Sequence, residues 1–148
     1  MIVLEDIYLA TSDSSNLQIR LRKRSEKGSD SNHLTMTVRH PEINGQRVET
    51  RRNLSKREYE TSMAQIDESR HPIQKIRNSF LWKDRYYQID SFQHPHIGLV
   101  LLETYLDYDG TNGSGFEDLS DLLPEWLDLE EVTDDKSYSM HNLALNSK

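Results

Sequence analysis

Four segments of this chain read as strands that gather charge on one face, and two of them, residues 17–24 and 33–39, alternate apolar and polar side chains with a period of two. Leu17–Arg24 sets Gln18, Arg20, Arg22 and Arg24 against Leu17, Ile19 and Leu21, with Lys23 interrupting the apolar row. His33–Arg39 sets Leu34, Met36 and Val38 against His33, Thr35, Thr37 and Arg39. Gln46–Asn53 brings Arg47, Glu49 and Arg51 to one side, and Ile73–Phe80 does the same for Lys75 and Arg77. A period of two is strand geometry, because successive side chains point to opposite faces. Polar, turn-forming stretches separate the first of these segments: Thr11–Asn16, Ser25–Asn32 and Pro41–Gly45. Strands of this kind demand a sheet with one apolar and one charged face.

Two further stretches belong to the sheet. Met1–Leu9 is an apolar strand that starts abruptly. Phe80–Leu106 reads as two strands joined at His94-Pro95-His96 and Gly98: the first carries Trp82, Tyr86, Tyr87, Ile89 and Phe92, the second runs from Gly98 to Leu106. Glu103 is set into that second run, and an unpaired carboxylate in an apolar strand must find a partner or face water. Helix is expected in two places. Ser55 and Glu58 match a capping box, Leu54 can staple onto Tyr59, and Tyr59, Met63 and Ile66 form the buried stripe of a helix ending before His71-Pro72. Asp107–Gly115 is a loop, Phe116–Leu123 a short amphipathic helix stopped by Pro124, and Trp126 with Leu127 anchors the tail.

The 148 residues fit one domain, 1–148, without internal repeat. The absence of cysteine excludes a disulfide scaffold and thiolate metal sites. No apolar run approaches a membrane span and no signal-peptide pattern opens the chain, which points to a cytoplasmic protein. The net charge of -7 conceals an asymmetry: residues 1–85 hold 16 basic against 12 acidic side chains, residues 86–148 only 2 against 13. Non-specific binding of a nucleic acid duplex needs a continuous basic face, which the acidic half opposes. The pattern leaves two architectures open. In a flat sheet the charged face meets solvent; in a closed barrel it lines a wet lumen.

Nine short segments, in order, are similar to motifs of the CYTH superfamily of triphosphate tunnel enzymes. Asp6-Ile7-Tyr8-Leu9 stands where that family has Gln-x-Tyr-Leu, and Ile19-Arg20-Leu21-Arg22 resembles its Arg-x-Arg strand. Thr37-Val38-Arg39 resembles Thr-x-Lys, Arg47-Val48-Glu49 the start of Arg-x-Glu-x-Glu, and Lys75-Ile76-Arg77 Lys-x-Arg. Ile89-Asp90-Ser91-Phe92, the Gly98–Leu106 strand, Pro124-Glu125-Trp126-Leu127 and Glu131-Val132-Thr133 complete the series. The spelling of residues 80–106 and 137–145 is closer still to the TRPL-translocation-defect branch. The resemblance implies an α+β domain, an antiparallel β-barrel or tunnel of about eight strands with flanking helices, its first strand lying upstream of Met1. It also implies a fragment of a longer protein with an N-terminal P-loop NTPase-like domain, an association with membrane-protein trafficking, and a protein partner and peripheral endomembrane location to match. An unpaired sheet edge near residues 2–9 would follow.

Departures from the family pattern bear on chemistry. Its Glu-x-Glu-x-Lys strand would precede this chain. The second glutamate of Arg-x-Glu-x-Glu is Arg51, that of Glu-x-Glu is Tyr105, and the arginine before Tyr138 is Ser137. Carboxylates that would hold a divalent ion are lost while the bases remain, which favours anion binding over metal-dependent hydrolysis.

The expected site therefore consists of Arg20, Arg22, Arg39, Arg47, Lys75 and Arg77 as phosphate ligands, with Glu49 and Glu103 as candidate ligands for Mg²⁺ or Mn²⁺. The expected ligand is a polyphosphate, a nucleotide such as GTP, or a phosphoinositide head group, bound without turnover; the alternative is a metal-dependent triphosphatase. Against these stand plainer readings. The bases can form a solvated face neutralised by Glu49 and Glu103, and Glu103 can be a structural partner of an arginine. Asp107 and Asp109 resemble a calcium loop, but Asn112 and Asp118 replace its glycine and closing glutamate. His94 and His96 lack a third metal ligand.

Overall fold

The computed structural model describes residues 1–12, 16–104, 129–133 and 135–145. Seven strands form a single antiparallel sheet: β1 (Ile2–Leu9), β2 (Gln18–Glu26), β3 (Asn32–Arg39), β4 (Glu49–Asn53), β5 (Ile73–Trp82), β6 (Arg85–His94) and β7 (Val100–Thr104). Their order across the sheet is β4-β3-β2-β1-β5-β6-β7. Only β1–β5 joins strands distant in sequence; every other neighbour is a sequential hairpin or meander pair.

This corrects the expected closed barrel of about eight strands with flanking helices. The sheet is open, with β4 and β7 as its edges and no pairing between them among the described residues. Helix is sparse there: α1 (Lys56–Ser62), α2 (Met140–Leu143) and two single 3-10 turns. The edge expected at residues 2–9 is likewise corrected, since β1 pairs with β2 on one side and β5 on the other. Its central place explains its composition. A strand covered on both faces needs apolar side chains in both rows, and Leu4 and Ile7, on opposite faces, are 1% and 2% exposed. The edge strand β4 is short, charged and exposed throughout, features that blunt edge-to-edge association.

One face is apolar. Ile7, Leu9 and Leu21 pack with Leu54 and Tyr59, and Ile19, Leu34, Met36, Met63 and Ile66 surround them. Lys23, which interrupts the apolar row of β2, stands across from Glu5 in register. The helix that covers this face starts as its capping box dictates: Ser55 Oγ accepts from Glu58 N, and Glu58 accepts from Ser55 N. It is shorter than its apolar stripe suggested, passing into a 3-10 turn at Met63–Gln65, after which Ile66 bridges to Leu9. Ser55→Ala should lower stability by about 1 kcal/mol, seen as a shift of the urea midpoint at constant slope.

The stretch from Trp82 to Phe92, expected as one strand, is instead bent at its start. Lys83 and Asp84, with φ of +50° and +59°, form a two-residue turn that folds β6 back on β5. Gly98, at φ +93°, makes the expected second turn. The loop at residues 107–115, the helix at 116–123, the anchors Trp126 and Leu127, and Tyr105 lie outside the described residues. No helix among the described residues is long and apolar enough to cross a membrane.

Candidate anion-binding face

The register places the charged side chains on the face opposite α1. Asp6 is opposite Arg22 and Tyr8 opposite Arg20 across β1–β2; Leu4 is opposite Lys75 across β1–β5; Arg77 is opposite Asp90 across β5–β6. Two buried carboxylates organise this face. Arg22 donates from Nε and Nη2 to Asp6 at 2.6 and 2.9 Å, and Arg77 donates likewise to Asp90 at 2.8 and 2.9 Å. Lys75, 2% exposed, lies between them, 2.9 Å from Asp90 and 3.9 Å from Asp6. Side-on pairing of this kind fixes a guanidinium in plane as well as neutralising it.

Burial pushes the Asp6 carboxyl up, but the Arg22 hydrogen bonds and the charges of Arg22, Arg20 and Lys75 outweigh it and hold it below the usual range. Asp90 is held down in the same way, burial being outweighed by Arg77 and Lys75. Burial pulls Lys75 down against the two carboxylates. Arg77 is raised, chiefly by its hydrogen bonds to Asp90. The network is a bar of five side chains across the sheet, two carboxylates among three bases.

A cavity of about 260 Å³ lies on one side of this bar. Glu49 of β4 and Glu103 of β7 both line it, so the open sheet is curled enough for its two edge strands to share a cavity. Its remaining wall comes from the tail, residues 138–141. That segment is anchored because Leu143 and Ala144 pack on Tyr8, Ile73 and Phe92, His71 N donates to Ala144 O, and Arg70 donates to the His141 carbonyl. The His141 ring meets Tyr8 edge-on at 5.0 Å, and burial, then Arg70, lowers its pKa. Burial pushes the Tyr8 phenol to about 12, so it is a donor at every ordinary pH.

Three buried polar atoms in this cavity, Arg20 Nε, Thr37 Oγ1 and Arg39 Nε, have no hydrogen-bond partner. Arg20 and Thr37 are opposite each other in register, and Arg39 lies one face-position along β3. Arg39 has a charge partner in Glu49 at 3.5 Å, whereas no carboxylate pairs with Arg20 among the described residues. A buried donor left unsatisfied costs about 1–3 kcal/mol, and these three atoms are gathered on the wall of one cavity.

A second cavity, of about 350 Å³, lies beyond the bar. Arg22 and Arg77 line it together with Arg24 and Arg51. The six expected phosphate ligands are thus divided: Arg20, Arg39 and Lys75 line the first cavity, Arg22 and Arg77 the second, and Arg47 neither. Arg47 is exposed in the segment between the Asn44–Gly45 turn and β4, 3.8 Å from Glu42. The expected grouping of Arg47 with Glu49 and Arg51 fails because the strand begins only at Glu49. Of the candidate metal ligands, which both line the first cavity, Glu49 is turned to Arg39 and Glu103 is exposed, and no group of three His, Asp or Glu side chains that could hold a metal ion occurs among the described residues. Asp6 and Asp90, which order the face, were not among the expected site residues. Asp6 carried the same signal as Glu103, a carboxylate inside an apolar strand, and its burial is far greater.

No protein-family model and no curated protein matches the chain. It is similar to a solved structure, the PH1819 protein from Pyrococcus horikoshii OT3, with a TM-score of 0.54 and 18% identity over 82% of this chain and 73% of that one. Identity this low supports a likeness of fold alone.

Proposed function

We propose that this chain is a non-catalytic module that binds a phosphate-bearing ligand, a nucleotide triphosphate or phosphoinositide head group, in the cavity of Arg20, Thr37 and Arg39. The observation that carries the reading is the convergence of three buried polar atoms without a hydrogen-bond partner, of which Arg39 Nε has only a long ion pair to Glu49 at 3.5 Å. Arg20 Nε and Arg39 Nε can only donate and the Thr37 hydroxyl can also donate, so one acceptor group suits all three. Arginine beside an uncharged hydroxyl suits phosphate oxygens, which take several charge-assisted hydrogen bonds at once. Lys75 lines the same cavity, paired there with Asp90 at 2.9 Å. The similarity to the CYTH superfamily supports the same ligand class, and its TRPL-translocation-defect branch suggests a trafficking setting. Turnover is not part of the proposal, because Asp6, Asp90 and Glu49 are each engaged with a base.

The test is thermal shift with tripolyphosphate, GTP and inositol trisphosphate, each with and without Mg²⁺. At a hundredfold its Kd a ligand stabilises by about 2.7 kcal/mol, or several degrees at roughly 2–4 °C per kcal/mol. Arg20→Gln should abolish the shift and Arg47→Ala should leave it intact. Equal shifts in both variants, or none in the parent, would overturn the reading. Metal-dependent phosphate release that disappears in Glu103→Gln would put the triphosphatase in its place.

A further inference from the structure

The second cavity has a charge composition that the first lacks. Four arginines, Arg22, Arg24, Arg51 and Arg77, line it, and among the described residues no carboxylate does. Two of them are half-neutralised from behind, because Asp6 and Asp90 grip the Nε and Nη2 edges of Arg22 and Arg77. Among the described residues nothing accepts from Nη1 of either, so each guanidinium is held rigid with its outer end uncommitted. Burial and, less strongly, the charge of Arg77 act to lower the pKa of Arg22, and Asp6 outweighs both so that it is raised. Arg24 and Arg51, on β2 and β4, add two positive charges that no carboxylate pairs with among the described residues. Thr35, Asn53, Ser79 and Gln88 supply neutral hydrogen-bonding groups around them.

We propose that this cavity is a second oxyanion site, separate from the first, and that it takes a compact dianion such as inorganic phosphate or a phosphate monoester. With Asp6 and Asp90 offsetting two of the arginines, the cavity is left with two uncompensated positive charges, which a dianion matches. Arg22 and Arg77, held by the aspartates, lose little entropy on binding, whereas the exposed Arg24 and Arg51 must be ordered by the anion. The Asp6–Lys75–Asp90 bar lies between the two cavities, so the two anions bind side by side rather than as one threaded ligand. The site owes its charge to Arg51 and Arg24, which belong to no anion-binding motif apparent in the sequence.

Isothermal titration of the whole chain with inorganic phosphate, and separately with phenyl phosphate, tests this. The parent should take up anion at a site that Arg24→Gln and Arg51→Gln each weaken by about tenfold, the loss expected for one charge-assisted hydrogen bond. Both arginines are exposed, so both variants should melt like the parent. Arg51→Lys should keep part of the affinity. Arg20→Gln should leave this site unchanged, and with tripolyphosphate at the first cavity, phosphate should still bind the second. Affinity unmoved by Arg24→Gln and Arg51→Gln would overturn the second site whether or not Arg20→Gln abolishes the first. Loss of both binding events in Arg51→Gln would show one continuous site instead of two.

Discussion

Asp6→Ala should lower the stability of this protein by about 3–5 kcal/mol, the cost of removing one partner of a buried ion pair. Asp6 is completely buried, so solvent screens nothing, and its loss leaves Arg22 without its bidentate partner and Lys75 with Asp90 alone. For a chain of this length the melting temperature should fall by roughly 6–20 °C, at about 2–4 °C per kcal/mol. Lys75→Met should cost clearly less. Each aspartate retains its own arginine, and burial already works against the lysine charge. The acid limb of the stability curve gives an independent check. Asp6 and Asp90 have folded pKa values below their unfolded ones, so their contribution is complete above the ordinary aspartate value near 3.8. It is lost as pH falls from there through the folded values. Parent stability should therefore drop steeply in that window, and Asp6→Asn should flatten the drop. An Asp6→Ala variant that melts with the parent would mean that the bar contributes nothing.

Phe92→Ala should cost about 3–5 kcal/mol, the range for emptying a buried aromatic position. Phe92 is 1% exposed and packs with Tyr8, Ile73, Leu143 and Ala144, so it ties the tail to the sheet. The Lys75 ammonium stands 5.6 Å from its ring centroid. Removing the ring should release the tail before it unfolds the sheet, because the apolar core under α1 shares no residue with this cluster. Hydrogen exchange is the measurement: the amides of Leu143 and Ala144, bonded to Ser139 and Met140 carbonyls, should lose protection more than those of Leu21. Uniform loss of protection would show that the two clusters unfold as one unit. Since residues 138–141 wall the first cavity, the same variant should also weaken tripolyphosphate binding.

The sequence alone determined which residues share a face. Alternation in 17–24 and 33–39 separated Arg20, Arg22, Thr37 and Arg39 from Ile19, Leu21, Met36 and Val38, and the structure keeps that division. The capping box at Ser55 and Glu58 was equally readable, because both signals depend only on neighbours within a few residues. Tertiary structure decided which strands lie side by side. The abrupt apolar start of the chain was compatible with an edge, yet β1 pairs with β5 some 70 residues later, at a distance where alternation carries no information about partners. That pairing sets Lys75 between Asp6 and Asp90, turns two inconspicuous aspartates into the organisers of the charged face, and divides the basic residues between two cavities. Whether the sheet closes was undetermined for the same reason. Local pattern specifies an inside and an outside for each strand, but curvature and closure depend on twist and register summed over all of them.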